Sequence, residues 1–139
     1  MADTSVGRPF VTDFCTLYPE GTKDDPSAWK HCCIAHDLFM WAGGEKSDRV
    51  KADLDLKECV IQSGYEDHAN RIYLGVRLGS LSPIKFEDKA WGNAWIGRER
   101  NAKLSEEETF SLIEQIENHP EVNIETYQHF RSTLNGRLE

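Results

Sequence analysis

No stretch of this chain approaches the roughly 18 consecutive apolar residues that a membrane-spanning helix needs, so the sequence offers no transmembrane segment. Basic residues are scarce too. Sixteen Lys and Arg stand against 24 Asp and Glu, a formal net charge of −8. That balance excludes the positive footprint of a nucleic-acid binder. It also disfavours tight electrostatic adsorption to an anionic lipid surface. There is no internal repeat and no low-complexity tract. At 139 residues the material suffices for one domain. A two-domain dinucleotide enzyme or a barrel does not fit. Hydrophobic residues make up 39% and charged residues 29%, so a core can form with little to spare.

Cysteine is the informative presence. Cys15, Cys32, Cys33 and Cys59 all lie in the first half. An even count in a small chain predicts two disulfides, with three possible connectivities. Disulfides in turn imply an oxidising compartment. The opening Met1-Ala-Asp-Thr-Ser has no apolar stretch of the kind a signal peptide carries, so the expectation is a mature domain with an added start. Leu138-Glu139 reads as a cloning remnant.

The expected class is mainly α. Residues 1–25 read as loop, rich in Gly, Pro, Asp and Thr. Asp25-Pro26 reads as an N-cap and first helical residue. The helix should run to about Trp41 and stop at Gly43-Gly44. Ser47 is the next expected cap, opening a helix to about Gln62 with Gly64 just beyond. A third helix is expected over Glu66 to about Leu78. Residues 79–104 read as loop with room for a hairpin. Ser105 with Glu108 forms a capping box, opening a helix whose apolar face is expected at Phe110, Ile113 and Ile116 and which ends before Pro120. A last helix is expected from about Val122 to Leu134, closed by Asn135-Gly136.

On a helical wheel of about 100° per residue, Phe39, Cys32, His36, Trp29, Met40 and Cys33 share one arc, with His36 in its middle. Asp37 lies about 100° further round, just past Cys33. On the second helix Ala52, Leu56, Val60 and Val50 make an apolar arc, and Asp53 falls inside it. Asp55 falls on the polar side with Lys51 and Glu58. A carboxylate within an apolar arc is costly without a partner: either the helix phase is mis-set or the Asp is capped locally, or Asp53 faces His36 across the helix pair.

These residues carry a resemblance. Cys32-Cys33-Ile-Ala-His36-Asp37 resembles the Cys-Cys-x-x-His-Asp motif of the small secreted phospholipases A2. Asp53 with Cys59 six residues on resembles the second-helix aspartate and cysteine of that family. Cys15 and Gly21-Thr22 resemble its calcium-loop spacing. The likeness covers residues 14–60, about a third of the chain. It divides a single domain into an N-terminal loop (1–13), a motif core (14–60) and a helical extension without a family counterpart (61–137).

The resemblance implies two long antiparallel helices joined by a Cys32–Cys59 disulfide, preceded by a calcium loop tied down by Cys15–Cys33. It implies calcium-dependent hydrolysis of the sn-2 ester of glycerophospholipids. His36 would be the base that takes a proton from water, and Asp53 would hold its far ring nitrogen. Asp37 and the backbone carbonyls of Phe14, Thr16 and Tyr18 would hold Ca²⁺, a hard cation with oxygen ligands. The substrate would be met in transient contact with a membrane interface, and the location would be secreted or periplasmic.

The sequence departs from the family in three places. The loop Cys15-Thr-Leu-Tyr-Pro-Glu-Gly21 is poor in glycine, and Glu20 offers an alternative oxygen. The segment from Gly21 to Cys32 is about two residues longer. Met40 stands where many members have an aspartate-supporting tyrosine, which leaves Tyr65 and Tyr73 as substitutes.

Three rival readings use the same residues. Zinc on Cys32, Cys33, His31 and His36 is disfavoured, because adjacent helical cysteines diverge by about 100°. A phosphohydrolase would need more ligands, and His31, His68, His119 and His129 form no matching pattern. An inactive lipid- or protein-binding module on the same scaffold is the serious alternative. Trp91 and Trp95 would suit a membrane-interface belt, but the expected role is core.

Overall fold

The computed structural model describes residues 9–12, 14, 15, 18–81, 94, 95 and 102–138. It is mainly helical: α1 spans Lys30–Ala42, α2 Lys46–Gln62, α3 Glu66–Leu81, α4 Glu106–Ile116 and α5 Ile124–Gly136. Among the described residues there is no strand. Residues 79–81 of the expected 79–104 loop belong to α3, and 82–93 and 96–101 lie outside the described residues.

The disulfides are Cys15–Cys33 and Cys32–Cys59, and no cysteine is free. Each closes a loop in the unfolded chain and so limits its entropy. The sequence separations are 18 and 27 residues.

Several helix ends sit where local chemistry puts them. Ser105 Oγ accepts from Glu108 N–H at 3.1 Å, and Ser105 N–H donates to Glu108 Oε1 at 2.8 Å. After α2 the Tyr65 N–H reaches Val60 O at 3.2 Å and the Gly64 N–H reaches Ile61 O at 2.8 Å. These are the paired bonds of a Schellman ending, with Gly64 at φ 95 supplying the left-handed residue.

Other ends are corrected. α1 begins at Lys30, not Pro26, and Asp25 is not its cap. The chain folds back first. Thr22 N–H and Ala28 N–H both donate to Asp25 O, and Trp29 N–H donates to Glu20 O at 3.0 Å. Gly21 permits this approach, because a Cβ there would lie 2.1 Å from Asp25 O.

Glu45, not Ser47, caps α2. Gly43 and Gly44, at φ 77 and 120, turn the chain so that Asp48 becomes the third helical residue. Its Oδ2 then accepts from Glu45 N–H at 2.9 Å. α5 begins at Ile124, because Asn123 Oδ1 accepts from Thr126 N–H at 2.8 Å. Gly136 is helical and Arg137 is the C-cap. On α4 the buried stripe is Thr109, Leu112 and Ile116, while Phe110 is 51% exposed. The helix is rotated from its expected face because a threonine, polar by type, takes the inward position.

Two apolar clusters share α1. Trp29, Cys32 and Cys33 pack with Leu56 and Val60 of α2 and Ala69 and Ile72 of α3. Leu38, Phe39, Trp41 and Ala42 pack with Phe10, Trp95, Leu112, Ile116, Phe130 and Leu134. So α1 is buried nearly all round, and its one-sided arc understates it. Trp95 belongs to the core, with Nε1 donating to Ala42 O at 2.9 Å. Trp91 lies outside the described residues.

Arg137 ties the far end of α5 to the α1–α2 turn. Its Nε lies 3.3 Å from Asp48 Oδ1, and its Nη1 donates to Gly43 O at 3.4 Å. Burial lowers its pKa, with Asp48 and Asp55 opposing the shift.

Phe130 is fully buried with its ring 5.4 Å from that of Phe39. Phe130→Ala is expected to destabilise the fold by about 3–5 kcal/mol. A urea midpoint lowered without a change in slope checks it.

Candidate functional site

His36 comes from the middle of α1 and Asp53 from α2. Val60, Leu56 and Ala52 turn one face of α2 into the core, and Asp53 lies on that face at 0% exposure. His36 Nε2 and Asp53 Oδ1 are 2.6 Å apart. The His36 side chain keeps 11% of its surface exposed. Among the described residues nothing bonds Nδ1, the nitrogen turned from Asp53. Nε2 donates to a carboxylate that accepts only, so the proton sits on Nε2 and Nδ1 is the basic nitrogen.

Asp55, two residues on, is a surface group. Its carboxylate accepts from Lys51 Nζ at 3.1 and 3.2 Å, and its side chain is 38% exposed.

The second oxygen of Asp53 accepts from Arg77 Nη1 of α3 at 2.8 Å. Sequence reasoning missed Arg77. The expected substitutes are placed otherwise. Tyr65 meets Trp29 edge-on at 5.1 Å, and Tyr73 lies 5.2 Å below Lys57 Nζ. Met40 packs against the apolar cluster around Phe39 and Trp41.

Asp37, beside His36 in sequence, is buried at 5% exposure. Its Oδ2 accepts from the Thr12 hydroxyl at 2.7 Å, and Thr12 Oγ1 accepts from Phe14 N–H at 3.0 Å. Asp37 is thereby linked to the segment before Cys15. Phe14 has φ 52, in the left-handed region that bulky residues rarely occupy. Its ring lies 4.3 Å from Lys30 Nζ, and the Cys15–Cys33 bond follows immediately. Such a conformation persists where its surroundings over-determine it.

Tyr18 N–H donates to Cys15 O at 3.1 Å. The Tyr18 hydroxyl bonds His68 Nδ1 at 2.8 Å, which fixes the loop to α3. Thr16 lies outside the described residues.

The Asp37 carboxylate, the Thr12 hydroxyl and the Phe14 N–H form one hydrogen-bonded chain, and the expected carbonyls of Phe14 and Tyr18 belong to the segment on either side of Cys15. Hydrogen bonds between described residues end on neither carbonyl. An all-oxygen set fits the chemistry of Ca²⁺.

One other grouping is metal-like in type. His31, Cys32 and Cys59 offer ligand atoms within 4.8 Å of one another. Both sulfurs are spent in the Cys32–Cys59 bond, so neither is the thiolate that zinc takes.

No family model matches the chain, no curated protein matches its sequence, and no solved structure matches its fold.

Proposed function

We propose that this chain hydrolyses the sn-2 acyl ester of glycerophospholipids in a calcium-dependent reaction, on a phospholipase A2-like antiparallel helix pair. The observation that carries the reading is the contact of His36 Nε2 with the fully buried Asp53 at 2.6 Å. A histidine oriented through one nitrogen by a carboxylate, and partly open to solvent, is the arrangement of a general base. His36 Nδ1 takes the proton of a water as that water attacks the ester carbonyl. Asp53 holds the ring in the competent tautomer and stabilises the imidazolium that forms. His36 then returns the proton to the leaving alcohol oxygen.

Asp37, with the carbonyls of Phe14, Thr16 and Tyr18, is the set that would hold Ca²⁺. When bound, the ion supplies Lewis-acid stabilisation to the oxygen on which negative charge develops. Two disulfides fit a chain that works in an oxidising compartment, secreted or periplasmic.

Fatty-acid release from phospholipid vesicles, with and without Ca²⁺, tests the reading. Release is expected in calcium and background release in excess chelator. Asp37→Asn is expected to weaken calcium binding and turnover together, each by about tenfold or more, because the set's one carboxylate is lost. Full turnover in chelator would sink the calcium step.

The rival, an inactive lipid- or protein-binding module, draws on one observation. Asp37 is already engaged by Thr12, with no cation needed to satisfy that oxygen. Calcium binding followed by calorimetry separates the two, since such a module has no need of the ion.

A further inference from the structure

We propose that Arg77 is a positioning residue for His36. Its guanidinium holds the Asp53 carboxylate so that Oδ1 accepts from Nε2, which keeps Nδ1 the basic nitrogen. The proposal rests on the reading of His36 as the base, yet it can be measured on the imidazole itself.

The carboxylate is shared between two helices. Oδ1 faces His36 Nε2 at 2.6 Å and Oδ2 faces Arg77 Nη1 at 2.8 Å. The terminal torsion of an aspartate is broad and roughly two-fold. The charge-assisted bond from Arg77 to Oδ2 restricts that torsion.

Arg77 is well placed to do this. α3 is locked to α2 through Ala69 and Ile72 against Leu56 and Val60, and Val76 packs beside them. The guanidinium therefore projects from an element with a fixed register to Asp53. Met40 stands where many members of the resembled family have an aspartate-supporting tyrosine, and here it is Arg77 of α3 that reaches the carboxylate.

Burial adds to this: Asp53 is fully buried, where a charge needs a paired countercharge, and the Arg77 guanidinium supplies one at the oxygen turned away from the histidine. Because the recorded contact is a single N–H and not a bidentate fork, a lysine that reaches the same oxygen should serve.

The test is ¹⁵N–¹H correlation of the His36 ring in the folded, disulfide-intact protein, with phospholipid turnover measured in parallel. The unsubstituted protein should show Nε2 protonated and Nδ1 bare. Arg77→Met should mix or reverse that pattern and lower kcat by about 10–100-fold with KM little changed, the range for losing an outer-shell partner. Arg77→Lys should restore the pattern and most of kcat. A purely structural role would lower the folded fraction without moving the ring nitrogens of the molecules that remain folded.

An unchanged ring pattern with kcat within twofold in Arg77→Met overturns the proposal. So does Arg77→Lys failing as badly as Arg77→Met. If Arg77→Met does not fold, Arg77→Gln is read by the same criteria, since it keeps a donor and removes the charge. Absence of any hydrolysis by the unsubstituted protein would fell the proposed function alone, and the ring pattern would still decide the role of Arg77.

Discussion

Asp53→Asn is expected to lower turnover by at least tenfold, and by as much as about 10⁴-fold if the pair behaves as a triad orienter does. The shape of the side chain survives, but its chemistry does not. Asn presents one acceptor and one donor where Asp53 presents two acceptors. Arg77 can only donate, so it draws the amide oxygen, and the amide NH₂ is left facing His36 Nε2. The ring then accepts through Nε2 and carries its proton on Nδ1, the nitrogen needed as base. The same substitution leaves Arg77, 22% exposed, without its countercharge. A loss of roughly 3–5 kcal/mol is the usual range for breaking a buried pair on one side. The surviving hydrogen bond and the partial exposure of Arg77 put the expectation nearer about 1–3 kcal/mol.

Asp55→Asn is the control from the same turn of helix. It breaks an exposed i,i+4 pair with Lys51 and is expected to change stability by at most about 0.5 kcal/mol, with turnover unchanged. Urea titration and vesicle assays on both variants, beside His36→Gln, check the pair of expectations. Damage from Asp55→Asn and tolerance of Asp53→Asn would remove the proposed base from the site.

The contrast between Asp53 and Asp55 was legible because it depends on one helix only. Ala52, Leu56 and Val60 set the phase, and two residues later the side chain points to solvent. The capping box at Ser105 and the ending at Gly64 were legible for the same reason, since their hydrogen bonds join residues at most five apart.

What the sequence hid is what the fold brings from a distance. Asp25-Pro26 is a sound local start signal, yet Glu20 O captures the Trp29 N–H and α1 waits until Lys30. Glu45 displaced Ser47 because the glycine turn ends one residue before it. Arg77 is 24 residues from Asp53, Thr12 is 25 from Asp37, and Phe10 O meets His119 across 109 residues. No periodicity of one helix points to any of these partners. The only available signal for Arg77 was a basic residue on a helix expected to pack against α2, and that signal does not single it out from Arg71.

The two disulfides are expected to be nearly equal in stability and opposite in function. Their separations of 27 and 18 residues put each near about 3–4 kcal/mol on the loop-entropy scale, within a few tenths of each other. Cys32–Cys59 joins α1 to α2, with His36 one turn beyond Cys32 and Asp53 six residues before Cys59. Replacing that pair with alanines should loosen the helix pair around the 2.6 Å contact, so turnover falls while calcium affinity changes little. Cys15–Cys33 instead fastens the segment that follows Phe14 and carries Tyr18 onto α1. Replacing it should free the strained backbone at Phe14 and disperse the carbonyls. Calcium affinity should then fall, and turnover should be recovered by raising the calcium concentration. In the unsubstituted protein, alkylation before reduction should modify no thiol and alkylation after reduction should modify four, read by intact mass. Denaturant midpoints measure the shared stability term, and calcium titrations of turnover separate the two bridges. A double variant of Cys15 and Cys33 whose lost turnover does not return at saturating calcium would detach the loop from calcium and tie it to the histidine pair instead.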